Sequence, residues 1–235
     1  MSNLLTHEEY SAIANSLSFP TNAFINGQFQ SSKSGKTFET INPATGNVIA
    51  KVAACNADDV DHAVIKAREV FDQGHWSKLH PSERKKVLIK LSKLIKRNLN
   101  ELAVMESVDS GKPVRDCATI DLPETIECLL WHAEAIDKVY DQTAPAGEDA
   151  LSVIVREPVG VVGCVLPWNF PLLMMAWKIA PALATGNSVI VKPAEQTSLT
   201  ALRLAELAID AGLPRGVLNV IPGMGPDVGE PIGLH

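Results

Sequence analysis

A chain of 235 residues, 46% of them apolar, can build one large hydrophobic core or two modest ones. Its 21 lysines and arginines against 27 aspartates and glutamates leave a net charge of −6 and a pI near 5.5, so a basic surface for nucleic acid is not expected. The four cysteines (Cys55, Cys117, Cys128, Cys164) have neither metal-ligand nor disulfide-framework spacing, and the opening MSNLLTHEEY has no basic leader or apolar signal core. A soluble, cytoplasmic protein is the expectation.

Residues 1–20 are weakly patterned and read as a helix or loose arm. Short extended runs follow (AFINGQF, KTFETI, NVIAKVAAC), separated by turn signals at Asn26-Gly27, Ser34-Gly35 and Asn42–Gly46. They predict a small antiparallel meander. Helices come next: 58–72 capped by Asn56 or Asp58, 82–97 opened by Pro81-Ser82, and 100–109 opened by Asn100 and stopped by Gly111-Lys112-Pro113. In the basic stretch 84–97, Val87, Leu88, Leu91, Leu94 and Ile95 recur at helical spacing. Its lysines therefore read as the wet face of an amphipathic helix. A longer helix is predicted over about 115–139, with Ile126, Leu129, Leu130, Ala133 and Ile136 on one face. Cys128 and His132 share a face of it, but two ligands without a third favour packing over a metal. Residues 141–150 read as a polar loop, and 151–158 as an exposed edge strand in need of a partner.

From Val159 the pattern changes to strand-helix-strand-helix-strand. The run 158–177 carries no charge and is long enough to span a membrane. Three prolines and Asn169 interrupt it, however, and a strand, a corner and a helix use all four. VGVVGCVL predicts a parallel strand buried on both faces. A helix over 172–185, kinked by Pro181 and stopped by Gly186-Asn187, leads to a second buried strand, SVIVK. Helix 198–211 ends at Gly212, and strand 216–221 precedes Gly223-Met224-Gly225 and a short helix. Together these predict an α/β protein, with a helical N-terminal part and an incomplete doubly wound parallel sheet of Rossmann-like type. The expected divisions are 1–140 for the meander and helices, 141–158 for an arm strand, and 159–235 for the sheet.

Open α/β sheets bind ligands beyond the carboxyl ends of their strands, which selects three places. At Leu166-Pro167-Trp168-Asn169 two prolines fix a corner, and the Asn169 amide is either an oxyanion donor facing the cleft or a partner for its own turn. At Lys192-Pro193-Ala194-Glu195 a lysine can meet phosphate or ribose oxygens, and a carboxylate can accept from ribose hydroxyls. Glu195 would also repel a 2′-phosphate, favouring NAD over NADP. Gly223-x-Gly225-xxx-Gly229 has tight-turn glycines at a spacing other than that of the common dinucleotide fingerprint. Cys164, on the strand before the corner, reads as a buried core thiol.

The chain resembles the first half of an NAD(P)-dependent aldehyde dehydrogenase. The motifs, in order, are Phe24–Gln28, Ile41–Gly46, Asp109–Pro113, Arg156–Gly160, Pro167–Phe170 with Pro171, Trp177–Asn187, Lys192–Glu195 and Ala211–Pro214. The segment Trp131–Tyr140 is further similar to the γ-glutamyl-γ-aminobutyraldehyde dehydrogenases. The resemblance implies roles: Asn169 polarising the aldehyde and holding the oxyanion, Lys178 in a relay at the active site, and Leu166, Pro167 and Trp168 beside the nicotinamide ribose. It places Lys192 and Glu195 at the adenosine ribose and Gly225 with Pro226 against adenine, and Pro193, Ala194 and Gly229 complete the expected cofactor-binding set. A monovalent cation would sit at Asp109 with carbonyls of Thr40 or Ile41 and of Gln196.

The complete enzyme would act on a small aldehyde as a homo-oligomer, with 151–158 in the oligomerisation arm. The family's pyrophosphate turn, its glutamate and its cysteine nucleophile match nothing before His235. These residues alone are therefore expected to be inactive and to aggregate or assemble. The alternative is a non-catalytic subunit that assembles with a full-length relative.

Overall fold

The structure is a computed structural model that describes residues 4–235. Helix α1 (His7–Ser16) opens on a reciprocal cap in which Glu9 N–H donates to the Thr6 hydroxyl and Thr6 N–H to the Glu9 carboxylate. Asn26 and Gly27 both take positive φ, 53° and 72°, and close a two-residue hairpin between β1 (Ala23–Ile25) and β2 (Gln28–Gln30). A second hairpin pairs β3 (Thr37–Ile41) with β4 (Val48–Ala53), with a register shift between Thr40 and Ile41.

Helix α2 (Ala57–Gln73) carries a capping box from Asn56 and Asp59 and ends at left-handed Gly74. Then come α3 (Pro81–Arg97) and α4 (Leu99–Ser110). Helix α5 (Val114–Asp116) widens into a π-turn over Cys117–Asp121, followed by α6 (Leu122–Ala135) and a 3-10 turn, Ile136–Lys138. Strands β5 (Gln142–Ala144) and β6 (Ser152–Ile154) form an exposed two-stranded arm. The remaining elements are β7 (Val161–Val165), α7 (Pro171–Ala184), β8 (Ser188–Lys192), α8 (Leu199–Ala211), β9 (Leu218–Val220), a π-turn over Gly225–Gly229, and α9 (Glu230–Leu234).

The main sheet runs in the order β2-β1-β9-β8-β7, with β7, β8 and β9 parallel and β1 antiparallel to β9. Alternate residues of β8 face opposite layers. Val189 and Val191 pack with α7 and α8, while Ile190 packs with Val60, Ala63 and Ala67 of α2. Helices thus cover both faces, as the doubly wound reading expects. No helix among the described residues is long and apolar enough to cross a membrane.

Several expectations are corrected. The meander does not exist. Its first hairpin joins the main sheet through Phe24 opposite Val220, and buried Asn219 accepts the Asn26 N–H at 2.9 Å. The wholly buried β1 gains more by closing the core sheet than by pairing with the next hairpin. Asn100 does not open α4, which starts at Leu99 behind Asn98, and the Asn98 side chain turns back to Leu94 O. The loop 141–150 contains β5, which is the partner of the strand expected to lack one. Leu130 lies on the exposed side of α6. Strand β8 is buried on both faces as expected, but β7 is not, because it forms the sheet edge and exposes Gly163 and Val165.

The packing of α2 on β8 makes a paired prediction. Ile190→Ala should destabilise the chain by about 2–5 kcal/mol in urea unfolding. Ile65→Ala, on the exposed face of α2, should shift stability by less than about 0.5 kcal/mol. Equal losses at the two positions would contradict the assigned faces.

Candidate active site at the strand ends

Parallel pairing places Val165 opposite Lys192, and Leu166 N–H donates to Lys192 O at 3.0 Å. The chain then turns outward. Leu166 is buried, whereas Pro167, Trp168 and Asn169 are exposed before Pro171 starts α7. Thr197 Oγ1 donates to Trp168 O at 3.4 Å and ties the corner to the loop after β8. The Asn169 side chain makes no hydrogen bond with the described residues, so its turn does not consume the amide. Lys178, on α7, is also exposed. Cys164 points into the core, where burial pushes its thiol up to about 11 despite the nearby Lys178 charge.

At the end of β8, Lys192 is only 3% exposed and its Nζ donates to Glu195 Oε2 at 2.7 Å. Burial works to raise the Glu195 pKa, but the Lys192 hydrogen bond and charge outweigh it and hold the carboxyl below its usual range. Pro193 and Ala194 are buried beneath this pair. After β9, Gly223 has φ 156°, and a Cβ there would fall 2.6 Å from Val228 Cγ2 and 3.0 Å from Cys55 O. The turn it permits carries Gly225, Pro226 and Gly229. A Cβ on Gly225 would meet nothing within 4 Å, and one on Gly229 would lie 4.0 Å from Lys192 Cδ. The second and third strand ends are therefore neighbours.

Between β3 and these loops lies a cavity of about 630 Å³, lined among others by Thr40, Ile41, Asp109, Trp168, Glu195 and Gln196. All four residues of the expected cation site thus border one space. Asp109 is already engaged: Oδ1 accepts from Thr40 Oγ1 at 2.8 Å and Oδ2 from Leu199 N–H at 3.1 Å. Burial nevertheless raises its pKa to about 6. Cys128 Sγ lies 3.7 Å from His132 Nδ1, and no group of three or more His, Cys, Asp or Glu gathers for a metal among the described residues. The sequence reading missed Glu106, a fully buried carboxylate behind the corner. Its one signal was an acidic residue inside an otherwise apolar stretch of helix, LAVMES.

The fold and cleft define an open α/β protein whose ligand would meet the chain beyond the carboxyl ends of its parallel strands. The chain belongs to the aldehyde dehydrogenase family, whose model matches residues 29–235. It is 61% identical over 235 residues to an aminoacetaldehyde dehydrogenase of Pseudomonas aeruginosa, covering 100% of this chain and 47% of that protein. A γ-glutamyl-γ-aminobutyraldehyde dehydrogenase structure from Burkholderia cenocepacia superposes with a TM-score of 0.96 at 48% identity, covering 98% of this chain and 47% of the other. A mutant P. syringae indole-3-acetaldehyde dehydrogenase in complex with NAD+ and IAA gives 0.97 at 48% identity, covering 99% and 47%. The chain spans about half the length of the curated relatives it matches.

Asp109 provides a pH test. Its folded pKa lies above the ordinary 3.8, so between about pH 4 and 6 the unfolded chain releases this proton while the folded one keeps it. Stability should fall as pH rises through that window, by on the order of 2 kcal/mol, and then level off. Comparing wild type with Asp109→Asn in thermal melts across pH 4–7 isolates the effect. Parallel curves would show that Asp109 does not titrate in this way.

Proposed function

We propose that these 235 residues form the cofactor and oxyanion side of an NAD-dependent aldehyde dehydrogenase, whose complete reaction oxidises an aldehyde to a carboxylic acid. The carrying observation is a free Asn169 amide on the corner after β7, together with the Lys192–Glu195 pair at the end of the adjacent parallel strand β8. The NAD+-bound relative supports the cofactor.

The residues present fit NAD+. Glu195 is partly exposed and ionised and can accept from the adenosine ribose hydroxyls, while Lys192 neutralises it from below. The Gly225–Gly229 turn leaves open backbone where adenine would lie, with Pro226 at its rim. Leu166, Pro167 and Trp168 supply the apolar ledge for the nicotinamide ribose. Bound NAD+ would accept the hydride from the aldehyde carbon. Asn169 would donate its amide N–H to the aldehyde oxygen as negative charge develops there, the type of contact whose removal costs about 2.7–4 kcal/mol in an oxyanion hole. Exposed Lys178, on α7 after the corner, would serve the relay.

No cysteine here is a competent nucleophile. Burial raises all four thiols, Cys117 to about 12 and Cys164 to about 11, and Cys128 lies on α6 away from the corner. We infer that these residues alone bind and polarise without forming a covalent intermediate. The relatives' names put amine-derived aldehydes first among substrates to try. The exposed arm, with Leu151, Val153, Ile154, Val155 and Val159 facing outward, supports assembly, either with further copies or as a non-catalytic subunit beside a longer relative. Co-purification with such a relative favours the second arrangement, and a chain that stays monomeric beside it removes both.

A monovalent cation is proposed beside Asp109. The Thr40/Ile41 bulge takes a backbone carbonyl out of regular pairing there, and the buried carboxylate supplies charge. Potassium in place of tetramethylammonium should shrink the pH-dependent stability loss at Asp109, and an unchanged loss removes the cation.

Two measurements test the main reading. Mixing the chain with NAD+ and a panel of aldehydes should yield no NADH, and turnover would overthrow the inference of inactivity. Glu195→Gln should weaken NAD+ binding by about tenfold, the order expected for one lost charge-assisted hydrogen bond, and should narrow the preference over NADP+. Unaltered affinities for both cofactors would displace the ribose from Glu195.

A further inference from the structure

Helix α7 begins directly after the corner, and its first turn needs acceptors for N–H groups that have no partner within the helix. Its cap residue, Phe170, supplies none from its side chain. Pro171 has no N–H, and Leu172 N–H donates instead to Glu106 Oε2 at 3.3 Å, from α4 and 66 positions earlier in the sequence. The same oxygen accepts from Thr200 Oγ1 of α8 at 3.2 Å. On the other side of the corner, Lys112 Nζ sits 3.7 Å from the centre of the Phe170 ring and is paired with buried Asp121. The residue bearing the free amide is therefore followed by one under a cation and then by a helix start capped from a distance.

We propose that Glu106 is a positioning residue for the Asn169 amide, acting by capping the helix that carries the Pro167–Pro171 corner, with the Lys112–Asp121 pair steadying Phe170. This rests on the reading of Asn169 as the oxyanion donor. Glu106 is completely buried and its Oε1 has no partner among the described residues. A carboxyl in that state is expensive to keep in an apolar interior, and a packing role alone would be filled better by leucine or methionine. What the carboxyl adds is an acceptor for the Leu172 N–H in the first turn of α7. Burial, then the Asp121 charge, push its pKa up to about 8, against the weaker pull of Leu172 N–H, Lys112 and Thr200. At neutral pH it is mainly the neutral acid, of which glutamine is a close copy.

The test reads Asn169 directly, using the 235-residue chain labelled with ¹⁵N-asparagine and its signals assigned with Asn169→Asp. In Glu106→Ala, the Asn169 backbone and side-chain signals should shift or broaden while those of Asn187 and Asn219, held by their own hydrogen bonds, stay in place. Glu106→Gln should restore the wild-type positions. The proposal is overturned if Glu106→Ala leaves Asn169 unmoved, if all three asparagines move together, or if Glu106→Gln displaces Asn169 as far as alanine does. Should the alanine variant not fold, Glu106→Asp keeps the carboxyl but shortens its reach, and should disturb Asn169 alone; an undisturbed signal overturns the proposal. No cofactor enters this measurement. Failure of the unsubstituted chain to bind NAD+ would sink the proposed function and leave the positioning result standing.

Discussion

The parallel register of β7, β8 and β9 is the constraint on which the rest depends. Ile221 N–H donates to Val191 O at 2.8 Å and Leu166 N–H to Lys192 O at 3.0 Å, so three chain segments leave the sheet at one level and on one side. Once that register is set, the corner after β7, the Lys-Pro-Ala-Glu segment after β8 and the glycine turn after β9 must be neighbours. The register in turn rests on β8, whose five residues are all buried and whose two faces serve different helical layers. Slipping it by one residue would exchange Ile190 for Val189 or Val191 at the α2 face and move Lys192 off the cleft.

Around this frame the polar groups fall into two kinds. Those behind the corner are mostly spent on structure: Asp109 holds Thr40 and Leu199, Asp121 holds Lys112, and Glu106 holds Leu172 and Thr200. Each carboxylate is buried, and Asp109 and Glu106 tie elements far apart in sequence, where losing a partner is costly. The groups facing the cleft remain available. Asn169 makes no hydrogen bond among the described residues, and Glu195 keeps acceptor capacity beyond its bond to Lys192. A buried, cross-linked layer behind and unspent donors and acceptors in front leave this side of the corner able to meet a ligand's polar atoms.

Much of the fold was legible along the chain because local chemistry fixes it. The Asn56 cap of α2, the Asn26-Gly27 turn, the valine-rich strands, and the glycines Gly186 and Gly212 that follow α7 and α8 all work within a few residues. The misread strands share one cause. Whether β1 joins β4 or β9, whether β5 exists, and whether β7 is interior or at an edge are questions of non-local pairing, on which a strand's own sequence is silent. The family's motifs made the candidate site legible as a set of residues, but they did not show that Lys192 and Glu195 pair or that Asn169 stays free.

By itself, then, the sequence determined the order and kind of elements in the α/β core and the residue types at three strand ends, because periodicity, capping and turn chemistry are short-range effects. Only the tertiary structure decided that the first hairpin closes the main sheet, that Asp109 meets Thr40 and Leu199, and that Glu106 caps a helix through an N–H 66 positions further along the chain. Those contacts join segments far apart in the chain. Their free energy comes from burying apolar surface and pairing buried polar groups, which exist only once the layers have packed.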